Sequence, residues 1–212
     1  MKLVVISSED GFRSEISVVV EMFRNGLNHF HVRKPNFSES MIVEYLEMIP
    51  EEFHKKIVLH SFHHLILKYE IQGVHITKRH KKKWLKTFFK IKYYKLLRSN
   101  ISVSSSCHSL SSLKRYCFFC DYVFLSPIFN SVSKSKKRVI FSLDRVKDKL
   151  KQNGRKNVYA FGGVDVSKVS KVRDLGFGGM VLFGSLWKRD NIELVDYFLK
   201  VKNCVDEPLL TK

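Results

Sequence analysis

The sequence is short of features that define several common classes of protein. Its 212 residues contain no apolar run near the roughly 18 residues of a membrane helix, so we expect no membrane-spanning segment. The apolar start, residues 1–6, is too short for a signal peptide and is followed at once by polar residues. Four cysteines are too few for a disulfide framework in a chain of this length. We therefore expect reduced thiols and a cytoplasmic protein.

Carboxylates are also scarce, since 20 Asp and Glu face 38 Lys and Arg, a net charge of +18. Such a potential attracts anions, whether a phosphorylated metabolite, pyrophosphate or nucleic acid. Nine of the eighteen residues in 78–95 are Lys or Arg, with aromatic residues between them, a pattern found in nucleic-acid-binding proteins. However, Trp84, Leu85, Phe88 and Phe89 have the spacing of an apolar stripe on an amphipathic helix. We favour a helix whose lysines face water, with a polyanion-binding or nucleic-acid-binding barrel as the alternative.

No linker divides the chain, and short apolar segments alternate with helical patterns throughout. The predicted strands cover residues 3–6, 29–33, 56–59, 73–76, 101–104, 122–125, 158–161 and 180–183. The predicted helices cover residues 15–24, 39–49, 61–69, 78–95, 109–117, 142–152, a segment ending near 176 and a segment after 190, with caps at Ser38, Ser61, Ser109 or Ser111, and Asp190. Eight strand–helix units predict an α/β fold, a TIM (β/α)8 barrel in one domain over residues 1–205 with a tail at 206–212.

Two glycine turns near the C-terminus predict a phosphate site. The segments 158–164 and 178–185 each read as a buried strand that ends in glycine before a helix. Glycine lets the backbone approach a ligand, and the first N–H groups of a helix attract anions. In a barrel of this kind, the loops after the seventh and eighth strands commonly bind phosphate. The predicted contacts are Gly162, Gly163, Phe183, Gly184 and Ser185. The simpler alternative is that these glycines only close two turns.

The one long loop covers residues 126–138, after the sixth strand. It carries several hydroxyls, among them Ser131 and Ser133, and four cations that include Lys134. Its place on the catalytic rim predicts a lid that closes over an anion, and a disordered basic loop is the alternative.

Six motifs together resemble the thiamine-phosphate synthase and TenI superfamily. They lie at residues 29–33, 73–76, 106–110, 121–129 with Lys134, 160–164 and 183–184, in the family's order over roughly residues 1 to 200. The resemblance implies a TIM barrel that binds a thiazole phosphate or thiamine phosphate, with the two glycine turns holding the phosphate.

One branch of that superfamily, the synthases, joins an aminopyrimidine pyrophosphate to a thiazole phosphate carboxylate while Mg²⁺ holds the departing pyrophosphate. Magnesium prefers carboxylate oxygens. The synthases have Arg-Glu-Lys, Asn-Asp and a further Asp at segments that here read 33–35, 60–61 and 78–80, and of these residues only Arg33 is retained. The sequence therefore disfavours the synthase reaction, which stays as the alternative, with Mg²⁺ as its cofactor.

The TenI-like branch is similar in the segments that remain, and some of its members convert a carboxythiazole phosphate to its aromatic tautomer. That reaction needs a base for proton transfer and no metal, and histidine ordinarily titrates near neutrality. The resemblance implies His108 as the proton carrier, with Arg33 and Lys134 holding the carboxylate or phosphate. It further implies substrate contacts by His31, Ser106, Ser131 and Ser133. We therefore expect a thiazole tautomerase without a cofactor.

Two metal-ligand patterns are weaker. Histidines near strand ends could form a metal site at the barrel mouth, namely His31, His60, His75 and His108. No carboxylate joins them, and we expect no metal. Cys117 and Cys120 form a lone Cys-x-x-Cys without a second pair, which indicates packed thiols rather than zinc or redox chemistry. A homo-oligomer and a family member that binds without turnover both stay open.

Overall fold

A computed structural model describes residues 1–9, 13–130, 141–152 and 157–207. Eight parallel strands form one closed barrel in chain order, and the last strand pairs with the first. The strands are β1 Lys2–Ile6, β2 Phe30–Val32, β3 Ile57–Leu59, β4 Gly73–Ile76, β5 Ser102–Cys107, β6 Tyr122–Leu125, β7 Val158–Phe161 and β8 Gly179–Leu182. The predicted TIM barrel is confirmed.

Helices cover the outside of the barrel. They are α1 Arg13–Arg24, α2 Glu39–Glu47, α3 Lys78–Lys82, α4 Trp84–Leu97, α5 Leu110–Phe119, α6 Leu143–Gln152, α7 Val169–Asp174, α8 Gly184–Trp187 and α9 Leu194–Asp206. Among the described residues, none of these helices is long and apolar enough to cross a bilayer.

Two of the predicted helix starts are confirmed by their hydrogen bonds. The Ser38 hydroxyl accepts from the backbone N–H of Met41, and Ser109 rather than Ser111 caps α5 by accepting from the N–H of Ser112.

Two other predicted starts are wrong. The segment after Ser61 forms only a 3-10 helix, His63–Leu67, because Phe62 before it has a left-handed backbone with φ of 49° and no side chain caps the turn. A 3-10 turn over Asn191–Glu193 likewise delays the last α-helix to Leu194, past the predicted cap at Asp190.

The basic segment forms two helices, α3 and α4, that meet at Lys83. The predicted apolar stripe is only half correct. Trp84 and Phe88 are half-buried against the barrel, whereas Leu85 and Phe89 are 72% and 66% exposed. Trp84 and Phe88 are four residues apart on one face of α4, whereas Leu85 and Phe89 lie about 100° further round the helix and face away from the barrel.

The barrel interior and the layer beneath the helices differ in composition. Beneath the helices, strands and helices bury a large aliphatic and aromatic core. The interior holds a small aromatic cluster around Tyr122, Phe124 and Tyr159, together with the buried polar side chains of His31 and His75. A polar interior at the carboxyl ends of the strands is the part of this fold that faces a ligand site.

Candidate active site

A cleft of about 1180 Å³ opens at the carboxyl ends of the strands, where active sites of this fold lie. Its cationic wall residues among those described are Arg33, Lys78, Lys81, Lys168 and Lys188. The volume exceeds the roughly 300–1000 Å³ of most ligand pockets. The cleft is therefore lined by more cations than carboxylates and is large enough for a phosphorylated heterocycle.

The β7 turn requires glycine for reasons of geometry. Gly162 and Gly163 have φ of +87° and +68°, a region that disfavours residues with a Cβ. A Cβ on Gly163 would lie 2.5 Å from the carbonyl oxygen of Phe129. The Phe129 N–H in turn donates to the Gly162 carbonyl at 3.0 Å. The turn is thus packed directly against the segment that follows β6, and both border the cleft.

The β8 turn leads directly into α8. The first N–H groups of a helix, here those of Gly184 and Ser185, have no acceptor within the helix. The Ser185 hydroxyl donates to the Val164 carbonyl at 2.7 Å and so joins the two glycine turns. Lys168 and Lys188 line the cleft beside them. The five residues predicted to bind phosphate therefore lie together on one wall, and their binding role stays a prediction.

His108 lies on the rim after β5 with its ring exposed to the cleft. Its Nδ1–H donates to the Ser126 carbonyl at 2.9 Å. Because a carbonyl only accepts, the neutral ring carries its proton on Nδ1 and leaves the Nε2 lone pair available. The geometry presents a base to the cavity.

Arg33 lies after β2 and lines the cleft, where its guanidinium pairs with Glu9 and lies 5.9 Å from the centre of the Phe183 ring. The adjacent Lys34 points the other way. Its ammonium is fully buried in an ion pair with Glu15 beneath α1. Burial raises the pKa of Glu15, and Lys34 partly opposes that shift. Of the two neighbouring cations, only Arg33 can reach a ligand in the cleft.

Three histidines form a buried cluster below Arg33. His31 Nδ1 lies 3.0 Å from His60 Nε2, and the rings of His60 and His75 are stacked with centres 4.1 Å apart. The hydroxyls of Tyr122, Ser104 and Ser106 bond the remaining nitrogens of His31 and His75. Burial lowers the pKa of all three histidines well below its usual value, so they are neutral near pH 7.

Among the sequence-predicted site residues, the structure brings Arg33, Ser106, His108 and the two glycine turns to one cleft. His31 differs, because it is fully buried below the floor of the cleft. His60 and His75, by contrast, line the cavity. Ser131, Ser133 and Lys134 lie outside the described residues, as does most of the predicted lid.

Lys81 is a site residue that sequence reasoning missed. Its ammonium donates to the Ser106 carbonyl and lies 4.0 Å from the centre of the Tyr116 ring, and partial burial lowers its pKa. The lysine belongs to a basic run that reads as a solvent-facing helix. Only the closeness of α3 to the end of β4 reveals that Lys81 turns into the cleft.

The donor set does not suit a magnesium pyrophosphate. Within the described part of the chain, the carboxylates that line the cleft are Glu9 and Asp165. Glu9 pairs with Arg33, and the Asp165 side chain accepts from Ser167. The segments after β3 and β4 supply His60, Ser61 and His80 instead of the carboxylates that hard cations prefer.

A closed eight-stranded parallel barrel with a cationic cleft at its carboxyl edge defines a TIM-barrel class of protein. The family model described as thiamine monophosphate synthase matches residues 2–186. The chain belongs to this family, which confirms the resemblance seen in the sequence. A comparison with curated protein sequences found no match.

Several solved structures are similar over nearly their whole length. The thiamine phosphate pyrophosphorylase of Bacteroides thetaiotaomicron is 27% identical with a TM-score of 0.78, over 97% of this chain and 98% of that one. The enzyme of the same name from Pyrococcus furiosus is 16% identical with a TM-score of 0.71, over 97% and 95%. (S)-3-O-geranylgeranylglyceryl phosphate synthase of Thermoplasma acidophilum is 11% identical with a TM-score of 0.67, over 97% and 92%. The last two likenesses show the fold alone.

Proposed function

We propose that this protein is an enzyme of thiamine biosynthesis that acts on a thiazole phosphate, as a tautomerase that transfers a proton through His108. The observation that carries the proposal is the bond from His108 Nδ1–H to the Ser126 carbonyl. It leaves Nε2 of the neutral ring without a proton, on a residue that lines a cationic cleft.

In the proposed step, Nε2 removes a proton from the ring of the exocyclic-alkene tautomer. The double bond moves into the ring, and the exocyclic carbon takes up a proton, so that the aromatic isomer forms without net change in composition. The fixed tautomer of His108 favours this work, because the Ser126 carbonyl also stabilises the imidazolium that carries the proton between the two carbons.

The phosphate of the substrate would bind at the β7 and β8 turns. The N–H groups that begin α8 supply donors there, and Lys168 and Lys188 supply charge. Arg33, whose guanidinium lies 5.9 Å from the ring of Phe183 at the β8 turn, would hold the substrate carboxylate in exchange for its pairing with Glu9. The cleft thus offers separate cations for the two anionic groups of the substrate.

The test is conversion of the exocyclic-alkene tautomer by purified protein in D₂O, followed by NMR. We expect the aromatic isomer to form, with deuterium at the exocyclic carbon to the extent that the His108 imidazolium exchanges its proton with solvent before redelivery. His108→Ala should slow conversion by about 100-fold or more while phosphate affinity stays near that of the wild type. His64→Ala, at an exposed histidine paired with Glu39, is the matched control and should behave as wild type. Equal turnover by His108→Ala would overturn the assignment of His108.

The second candidate is the synthase reaction. Two observations favour it: the cleft is large enough for two substrates, and the similar Bacteroides thetaiotaomicron structure is a thiamine phosphate pyrophosphorylase. Incubation with the aminopyrimidine pyrophosphate, the thiazole phosphate carboxylate and Mg²⁺ separates the two. We expect no pyrophosphate release, because carboxylate ligands are scarce in the cleft. Magnesium-dependent release would favour the synthase instead.

A further inference from the structure

The cluster of His31, His60 and His75 is not used by the proposed proton transfer, and its geometry suits a metal ion. One ring nitrogen of each histidine lies within 4.8 Å of one ring nitrogen of the other two. Three imidazoles with no carboxylate are typical ligands of zinc and related transition metals, and they are poor ligands for Mg²⁺ or Ca²⁺. We propose that His31, His60 and His75 form a zinc site at the floor of the cleft, independent of the proposed tautomerase activity.

The fold places these side chains together through strand register. His31 is on β2, and His60 follows β3 directly. Leu59 pairs with Val74, so the next residues along the two strands, His60 and His75, lie side by side. Ligands from three consecutive strands of a closed barrel are held on a rigid frame, which favours a preorganised site.

The distances suit a small closing movement around the ion. Nitrogens each about 2 Å from a tetrahedral zinc lie roughly 3.4 Å apart. His31 Nδ1 and His60 Nε2, at 3.0 Å, are already near that separation. His75 would move inward to complete the set, and its stacked ring leaves it close to His60.

The outer hydrogen bonds resemble those that orient metal-binding histidines elsewhere. The Tyr122 hydroxyl bonds His31 Nε2 at 2.8 Å, on the side of the ring away from His60. Serine hydroxyls bond both nitrogens of His75, so whichever nitrogen faces an ion, the other has a partner. Partners of this kind fix the tautomer and ring orientation of a ligand. The Phe124 ring packs beneath His31 and His75 and keeps that side of the cluster apolar.

The fourth position would face the cleft, because His60 and His75 line it while His31 lies behind them. Arg33 and Lys81 also line this part of the cavity and would oppose a bare dication. An anionic oxygen ligand at the open position, hydroxide or a carboxylate, would offset that repulsion. The site should therefore bind zinc together with an anion.

The experiment is titration of the metal-free full chain with Zn²⁺ by calorimetry and with Co²⁺ by visible spectroscopy. We expect one ion per chain and the intense visible bands of four-coordinate cobalt, which should shift when azide is added. Tyr122→Phe removes an outer hydrogen-bond partner of the site and should weaken zinc binding about 10–100-fold. His60→Gln removes a ligand and should weaken zinc binding by more than that. His64→Gln is the surface control and should bind as wild type. Circular dichroism checks that each variant is folded.

The contrary results are equally specific. A folded, metal-free wild-type protein that takes up no stoichiometric zinc would overturn the proposal, whatever the variants do. So would zinc affinity that is unchanged in both His60→Gln and His31→Gln. Thiolate-to-cobalt charge-transfer bands would place the ion on cysteines such as Cys117 and Cys120, and would also reject the histidine site. None of these results bears on tautomer conversion, so the two proposals fail separately.

Discussion

The β7–β8 wall of the cleft faces the cavity with backbone, at Gly162, Gly163 and the start of α8. The β2–β4 wall faces it with side chains, at Arg33, His60 and His75. The first wall suits an anion whose position is fixed by N–H groups. The second suits a ligand that binds imidazole or guanidinium, and it lacks the carboxylates that a magnesium pyrophosphate needs. One barrel mouth therefore combines a backbone-lined wall that suits phosphate with a side-chain wall of a different chemistry.

The largest expected difference between the two walls is a loss of folding stability at acid pH, caused by the buried histidines in and beside the β2–β4 wall. Burial lowers the pKa of His63 to about 3, and the His31, His60 and His75 shifts have the same direction. Below pH 6.5 the unfolded chain takes up protons that the folded chain does not, so stability falls as pH falls. Each such histidine contributes about 1.4 kcal/mol per pH unit.

Urea unfolding of metal-free protein between pH 7 and pH 5 measures this slope. His63→Gln should reduce the slope of unfolding free energy against pH by the contribution of one histidine, about 1.4 kcal/mol per pH unit. A free energy of unfolding that does not change over this range would contradict the neutral, buried state of these rings.

The next largest effect concerns the buried ion pair of Lys34 and Glu15. It tests whether Lys34 stabilises the fold instead of binding a ligand in the cleft. Lys34→Met leaves the Glu15 carboxylate buried without its partner and should cost about 3–5 kcal/mol of stability. The double variant with Glu15→Leu should regain much of that loss. Phosphate affinity of the folded protein should not change.

Lys202→Met is the control for that pair, because Lys202 pairs with the exposed Asp206 and should cost less than about 1 kcal/mol. If Lys34→Met instead weakened phosphate binding with little loss of stability, Lys34 would belong to the cleft.

A smaller effect tests the backbone wall. Gly163→Ala combines a positive φ with a Cβ 2.5 Å from a backbone oxygen, and should cost about 1–3 kcal/mol as well as weaken phosphate binding. Gly26→Ala is matched in φ, at +89°, but its Cβ would meet the flexible end of Lys202 outside the cleft. Calorimetric phosphate titration should separate the two, with only Gly163→Ala affected. Equal affinities would mean that the glycines only close a turn.

The smallest effect concerns the bond that joins the two glycine turns. Ser185→Ala removes the hydrogen bond to the Val164 carbonyl and should cost about 1 kcal/mol, with a phosphate affinity several-fold weaker. Ser38→Ala removes a helix cap far from the cleft at a similar cost, about 1 kcal/mol, and should leave phosphate affinity unchanged. Loss of phosphate affinity in both variants would attribute the effect to general destabilisation.

The sequence predicts a structural feature well where one local segment contains all the residues that determine it. The barrel follows from the alternation of strands and helices, and the two glycine turns of the β7–β8 wall follow from glycines adjacent to strand ends. The histidine cluster could be listed from strand ends, but its members are 29 and 15 residues apart, so only strand register shows that they meet. Lys81 was hidden in a basic helix, and the buried pairing of Lys34 depends on packing against α1. Long-range packing decides such orientations.

The most direct test of the account is a crystal structure of the protein with the aromatic carboxythiazole phosphate bound. We expect the phosphate at the N–H groups of the β7 and β8 turns, with His108 Nε2 within about 4 Å of a ring or exocyclic carbon. Phosphate bound instead by Lys78 and Lys81, with His108 remote from the ring, would contradict both the division of the cleft and the role of His108.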